Sequence, residues 1–252
     1  MSDKDSFQQT VDADEIAKFS AMAEEWWDPH GKFRPLHKFN PTRLDYIKTK
    51  ACAHFARQPD DLEPLAGLKL LDIGCGGGLL SEPMCRLGAQ VTGADAGEAN
   101  IKTASLHAEK MGLNIDYQCI TADALAAKGA QFDIILNMEV VEHVADVPAF
   151  MQACGQMLKP QGMMFFATLN RTLKSFSFAI IGAEYVLRWL PRGTHNWNQF
   201  ITPSEMGDYL ALSGLEAAEM TGVSFNPLAD KWRLSQDLSI NYMGVAHKTP
   251  QN

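Results

Sequence analysis

Hydrophobic and polar positions along this chain settle into a regular pattern at Lys69, where short apolar runs alternate with longer stretches of helical period. Strands are predicted at 69–73, 90–94, 115–120, 132–138 and 163–169, and helices near 79–87, 98–111 and 147–158. The last helix has Asp146 as candidate N-cap, Pro148 in its first turn, and Phe150, Met151, Cys154, Met157 and Leu158 on one face. Such alternation predicts an α/β fold, a parallel sheet with helices on both faces. Thr202-Pro203-Ser204-Glu205 then reads as a capping box opening a helix over 203–213, and strands near 215–221 and 239–247 close the sheet. Pro83 conflicts with a helix starting at Leu79, so that helix either starts later or bends.

Before Lys69 the pattern is less regular. The first dozen residues are polar and are expected to be disordered, and Ala13 to Ala23 reads as a helix with Ile16, Phe19 and Ala23 on one face. Glu24 to Pro41 carries aromatic and basic residues and three prolines, Pro29, Pro35 and Pro41, which argue against a continuous helix; Thr42 is the candidate cap of a helix reaching about Phe55. The chain thus divides into an N-terminal helical or lid segment (1–66), a core (67–169), an insertion (170–202) and the end of the sheet (203–252), all in one domain.

The first strand breaks into the richest motif, Asp72-Ile73-Gly74-Cys75-Gly76-Gly77-Gly78. Glycines there permit positive φ and close backbone approach to a ligand, with Gly74 and Gly76 the nearest candidates. Twenty-one residues after Gly74 the second strand ends in Asp95, a carboxylate placed for the hydroxyls of a ribose. The G-x-G-x-x-G frame fails, because Leu79 or Ser81 takes the third glycine position. Asp72 would also repel a diphosphate. The turn suits a ligand with a positive end, such as S-adenosylmethionine (AdoMet), with Asp72 near the ammonium group.

Phe132 to Met138 is an apolar strand running into Glu139, Glu142 and His143 at the carboxyl edge of the sheet. On a turn of helix, Glu139 and Glu142 share a face and His143 lies beside Glu139. Such a set suits a hard divalent cation such as Mg, which would bind the vicinal oxygens of a catechol. Alternatively His143 alone takes a phenol proton as general base, or the loop is only structural. Glu142 and His143 are the candidate catalytic residues. Asp123, after the third strand, reads either as an acceptor for an adenine amino group or as a helix N-cap. Met138 either lines the cofactor pocket or belongs to the core.

Charge changes the picture in one place. The chain carries −8 overall, which argues against a nucleic-acid partner, yet residues 171–192 hold Arg171, Lys174, Arg188 and Arg192 against Glu184 alone. Apolar and aromatic residues fill the gaps between them, a composition that suits a helix lying in an anionic membrane interface; a cap over the site or a dimer contact reads equally from it. Five cysteines without C-x-x-C spacing read as reduced thiols. With a polar, acidic start and no uncharged apolar run of membrane-spanning length, the expected location is cytoplasmic, with peripheral contact to the inner face of the membrane.

With these motifs placed, the chain resembles the class I AdoMet-dependent methyltransferases and, over most of its length, the ubiquinone biosynthesis O-methyltransferase family. The stretches that carry the likeness are Ile16-Ala17-Lys18-Phe19, Trp26-Trp27-Asp28, Phe33-x-Pro35-Leu36-His37, Asn40-Pro41-x-Arg43, Leu71 to Gly78, Met138-Glu139-x-x-Glu142-His143-Val144, Thr168-Leu169-Asn170-Arg171, Gly182-Ala183-Glu184-Tyr185 and Gly193-Thr194-His195. The resemblance implies a Rossmann-like, seven-stranded, mostly parallel sheet and methyl transfer to polyprenyl phenols or quinols at two steps of ubiquinone synthesis. It places AdoMet contacts on Arg43, Gly74, Asp95 and Met138, and a metal, in relatives proposed to use one, on Glu139, Glu142 and His143. It also implies membrane contact through roughly 168–190 and allows other ubiquinone-pathway proteins as partners. The competing readings are a C-methyltransferase of a quinone or lipid, and a membrane-attached AdoMet-binding module without catalysis.

Overall fold

Leu70, Leu71, Ile134, Ile135 and Leu136 are fully buried, which puts their two strands at the centre of the sheet. The computed structural model describes residues 10–176, 197–226 and 229–249. Its strands are β1 (Lys69–Ile73), β2 (Gln90–Asp95), β3 (Asp116–Cys119), β4 (Phe132–Met138), β5 (Leu158–Leu169), β6 (Leu215–Asn226), β7 (Lys231–Ser235) and β8 (Asn241–Lys248). They form one sheet in the order β3-β2-β1-β4-β5-β8-β6-β7. From β3 to β5 neighbours are parallel, whereas β8 lies antiparallel between β5 and β6. Because side chains alternate across a strand, Leu70, Ile134, Leu136 and Phe165 pack on one face with Ile47 and Met84. Leu71, Ile73, Ile135 and Phe166 pack on the other with Met151 and Met157.

The helices are α1 (Ala13–Ser20), α2 (Arg34–His54), α3 (Ser81–Arg86), α4 (Glu98–Lys110), α5 (Ala122–Ala127), α6 (Val147–Met157), the single turn α7 (Leu173–Ser175) and α8 (Pro203–Leu212). The caps of α6 and α8 fall where the sequence predicts, whereas Thr42, read as a cap, lies inside α2. Asp146 accepts from the Ala149 amide, and Thr202 and Glu205 form a reciprocal box. Helix α3 starts late, so Pro83 sits in its first turn, where no intrahelical donor is needed.

Four expectations change. The sheet has eight strands rather than seven, because β6 runs on to Asn226 and pairs with β7, whose Trp232 packs against Phe39 and Phe225. Helix α5 follows β3, where the sequence offers a helix only as one of two readings of Asp123. Helix α2 begins at Arg34 and passes through Pro41. The donor lost at Pro41 is offset by tertiary bonds on either side of it: Asn40 donates to Leu79 O at 2.9 Å and Thr42 to Trp232 O at 3.2 Å. Finally, residues 10–12 are tied down: the Thr10 hydroxyl donates to Asp123, Val11 forms an antiparallel bridge with Val144, and Asp12 caps α1. The basic, apolar stretch of the insertion falls largely on 177–196, outside the described residues. Among the described residues, no helix is long and apolar enough to cross a membrane.

Candidate active site

At β1 the strand order reverses, with β2 on one side and β4 on the other, so a crevice opens beyond their carboxyl ends. Three loops meet there: the glycine turn after β1, Asp95 to Gly97 after β2, and Glu139 to His143 after β4. The N-terminal segment closes the crevice from outside. Two adjoining clefts result, about 790 and 820 Å³ counted out to their mouths, which share Phe19, Trp26, Gly74, Glu139 and His143.

The first cleft is built on Asp95. Its Oδ2 accepts from the Gly76 amide at 3.0 Å, and its Oδ1 accepts from the Gly97 amide at 2.8 Å and from Asn100 Nδ2 at 3.1 Å. Two carboxylate oxygens offer about four acceptor positions, so room remains for a ligand hydroxyl. Burial raises the Asp95 pKa, against the pull of these donors. Thr121 and Ala122 line the same cleft, but Asp123 does not. Its carboxylate takes the Thr10 hydroxyl at 2.6 Å, and the cap of α5 is Thr121. The helix N-cap reading of Asp123 is thereby corrected, because Thr121 takes that place.

The glycine turn is positive in φ at Gly74, Gly76 and Gly78. Its close approaches are to the protein's own side chains. A Cβ on Gly74 would meet Val140 at 2.5 Å, and one on Gly76 would meet the Trp26 ring at 2.4 Å. Trp26 stacks on Phe33 at 3.7 Å and donates through Nε1 to Asn100 Oδ1 at 2.9 Å. Trp27 donates to Gly77 O and stacks on His107 at 3.6 Å. Sequence reasoning singled out the Trp-Trp pair as a motif without assigning it to this turn; its contacts span 50 residues or more.

The second cleft holds opposite charges. Arg43 and Asp72 are both 3% exposed. Burial lowers Arg43 to about 10, opposed by Glu139 and Asp72. Burial raises Asp72 to about 6, opposed by the Ser81 hydroxyl bonded to it at 2.6 Å and by Arg43. One Arg43 nitrogen is spent on Asn40, and Nε is buried with no partner. A buried, unpartnered guanidinium donor beside a carboxylate fits the amino-acid end of AdoMet, which carries one charge of each sign. Met138 lines this cleft and is also part of the core, so its two readings hold together.

The Glu139–His143 loop departs from the predicted helical turn. Glu139 has φ of +60° and is followed by a 3-10 turn over Val141–His143. His143 therefore parts from the two carboxylates. Glu142 accepts from the Thr168 hydroxyl at 2.9 Å, and His143 turns its Nδ1 to Glu15 on α1 at 2.8 Å. Glu139 Oε1 is buried without a partner, and burial together with Glu139 pushes Glu142 well above the usual carboxylate range. The structure thus brings two carboxylates together and leaves His143 to a different neighbour. Among the described residues no group of three or more His, Cys, Asp or Glu is placed to hold a metal ion. The three-ligand set is not assembled.

A family model described as a methyltransferase domain matches residues 43–219. The chain is 63% identical over 241 residues to the ubiquinone biosynthesis O-methyltransferase of Parvibaculum lavamentivorans, covering 96% of this chain and 95% of that one. It is 60% identical to the enzyme of the same name from Brucella anthropi, covering 95% and 96%. The chain belongs to the ubiquinone biosynthesis O-methyltransferase family. It is an AdoMet-dependent methyltransferase with the Rossmann-like fold of class I. Among solved structures it is similar to magnesium protoporphyrin IX methyltransferase from Synechocystis with bound SAH (TM-score 0.62, 18% identity, 86% of each chain). It is similar as well to the [4+2]-cyclase SpnF (TM-score 0.56, 16% identity, 82% of each chain). Likeness at that distance shows the fold alone, and the cyclase shows how much chemistry one fold can carry.

Proposed function

We propose that this enzyme methylates the phenolic hydroxyls of polyprenyl catechol-type intermediates, 2-polyprenyl-6-hydroxyphenol and 3-demethylubiquinol, with His143 as the group that takes the phenol proton. The observation that carries this reading is the place of His143, on the wall common to both clefts with Nδ1 occupied and Nε2 left to accept. When bound, AdoMet supplies an electrophilic methyl group on a sulfonium. Asp95 holds the ribose, Asp72 the ammonium group, and the free Nε–H of Arg43 the carboxylate. His143 Nε2 accepts the proton of the acceptor hydroxyl, so that its oxygen gains charge as it forms the new O–C bond. Trp26, Phe19, Phe33 and Leu36 keep water from a step in which opposite charges cancel.

Of the predicted metal ligands only Glu139 and Glu142 lie together, and a divalent cation such as Mg held by that pair would supply Lewis-acid polarisation of a phenol oxygen. EDTA is expected to lower turnover, and added Mg to restore it, without a change in AdoMet affinity. The basic, apolar stretch at about 170–192 supports peripheral contact with an anionic membrane, which would deliver so greasy a substrate. Sedimentation with anionic liposomes tests this: reversing the charges of Arg188 and Arg192 should release the protein, and unchanged binding counts against it. The deciding experiment is transfer of labelled methyl from AdoMet into a polyprenyl phenol with identification of the product by NMR. An O-methyl ether is expected. A ring C-methyl, or AdoMet binding with no transfer, overturns the proposal.

A further inference from the structure

The proposed base is held by a residue that lies 128 positions earlier in the chain. Glu15 Oε2 is 2.8 Å from His143 Nδ1, with both side chains less than a fifth exposed. Lys18 holds the other Glu15 oxygen, with Nζ 3.2 Å from Oε1. Phe19, one helical turn beyond Glu15, meets the imidazole edge to face at 5.0 Å and 79°. The backbone below the ring is fixed by the His143 amide, which donates to Val140 O at 2.8 Å. A carboxylate at Nδ1 favours the ring proton there, which in a neutral imidazole leaves the lone pair on Nε2.

We propose that Glu15 is a positioning residue for catalysis, which orients His143 and fixes its tautomer so that Nε2 accepts the phenol proton. It rides on α1, and α1 together with residues 10–12 forms one wall of the cofactor cleft. The same wall that encloses AdoMet therefore readies the base. With α1 lifted, His143 loses its carboxylate partner and its preferred tautomer, so that transfer awaits closure. Any carboxylate that holds an imidazole in this fashion contributes through geometry, typically about 10- to 100-fold.

This inference rests on the reading of His143 as proton acceptor, and the test separates the two. Glu15→Gln and Glu15→Asp are measured in the native and in the His143→Ala backgrounds. In the native background Glu15→Gln is expected to lower kcat about 10- to 100-fold with the AdoMet KM unmoved, and Glu15→Asp to restore part of the rate. In the His143→Ala background Glu15→Gln should add nothing. Nitrogen-15 spectra of the imidazole should show the Nδ1-protonated tautomer in the native enzyme and a mixture in Glu15→Gln. The same factor lost in both backgrounds, a loss that appears in the AdoMet KM, or an unchanged tautomer makes Glu15 a latch only and overturns the proposal. Full turnover in His143→Ala alone overturns the reading beneath it, while an altered tautomer in Glu15→Gln would still stand.

Discussion

Two regions enclose the site by different means. The sheet side, the turns after β1, β2 and β4, is set by backbone: positive φ at Gly74 and Gly76, and amides of Gly76 and Gly97 that fix Asp95. The N-terminal side, residues 10–33, is held by side chains: Thr10 on Asp123, Glu15 on His143, Trp26 on Asn100 and Phe33, Trp27 on Gly77 and His107. A frame built from backbone depends little on side-chain identity, whereas a wall built from side chains depends on each of them. On the proposed reading the first region holds the ribose and ammonium contacts and the proton acceptor, and the second encloses them and excludes water.

The sharpest way to break that division is His143→Ala, which lies where the two meet. Turnover should fall about 10²–10⁴-fold with AdoMet affinity by calorimetry near native; a matching loss of affinity would merge the two regions into one. Next comes Asp95→Asn. Removing the charge is expected to weaken AdoMet binding about 10- to 100-fold. It should also lower the melting temperature, because one amide NH₂ must then face the Gly76 or Gly97 donor. A stability loss without an affinity loss would confine Asp95 to the turn.

Acidity probes the sheet side alone. Burial raises Asp72 to about 6, so below that pH it is increasingly protonated and cannot hold an ammonium group. AdoMet affinity should therefore fall as pH drops through about 6. The contribution of Asp72 to stability runs the other way, since a carboxylate raised in the folded state favours folding as it takes up its proton. Asp95, also raised by burial, acts in the same sense, so Asp72→Asn should reduce the pH dependence of binding without abolishing it. The smallest effect belongs to Trp26→Phe, which keeps the stack on Phe33 and loses the bond to Asn100. About 1 kcal/mol is expected, roughly a fivefold loss of AdoMet affinity by calorimetry. No loss at all would show that packing alone seats the wall.

Why one region was legible in the sequence and the other not follows from the same contrast. Period-two and period-3.6 patterns are local, so β1, β2, β4, α6 and α8 stand out with their caps, and Asp72, Gly74 and Asp95 fall at strand ends where they can be named. Apart from the Trp26–Phe33 stack, the wall is made of contacts between residues 50 to 128 positions apart, which leave no period. Glu15 is one of two neighbouring acidic residues in the first turn of α1, and nothing local marks it. Pro41 misleads for the same reason: its helix survives on bonds to Leu79 and Trp232. Strand β7 is short, with Lys231, Arg233 and Leu234 exposed, and it takes form from its pairing with β6 and the Trp232 contact with Phe39. At Glu139 a positive φ in a non-glycine residue breaks the helical geometry that the Glu-x-x-Glu-His spacing suggests.

The Thr10–Asp123 bond and the Val11–Val144 bridge have a practical side. A chain trimmed to begin at Ala13, where regular structure starts, would keep every helix and strand and still lose the tether that seats α1. A tag fused directly at that end would press on the same anchor. Residues 10–12, which composition reads as disordered, are the part an engineer should leave untouched.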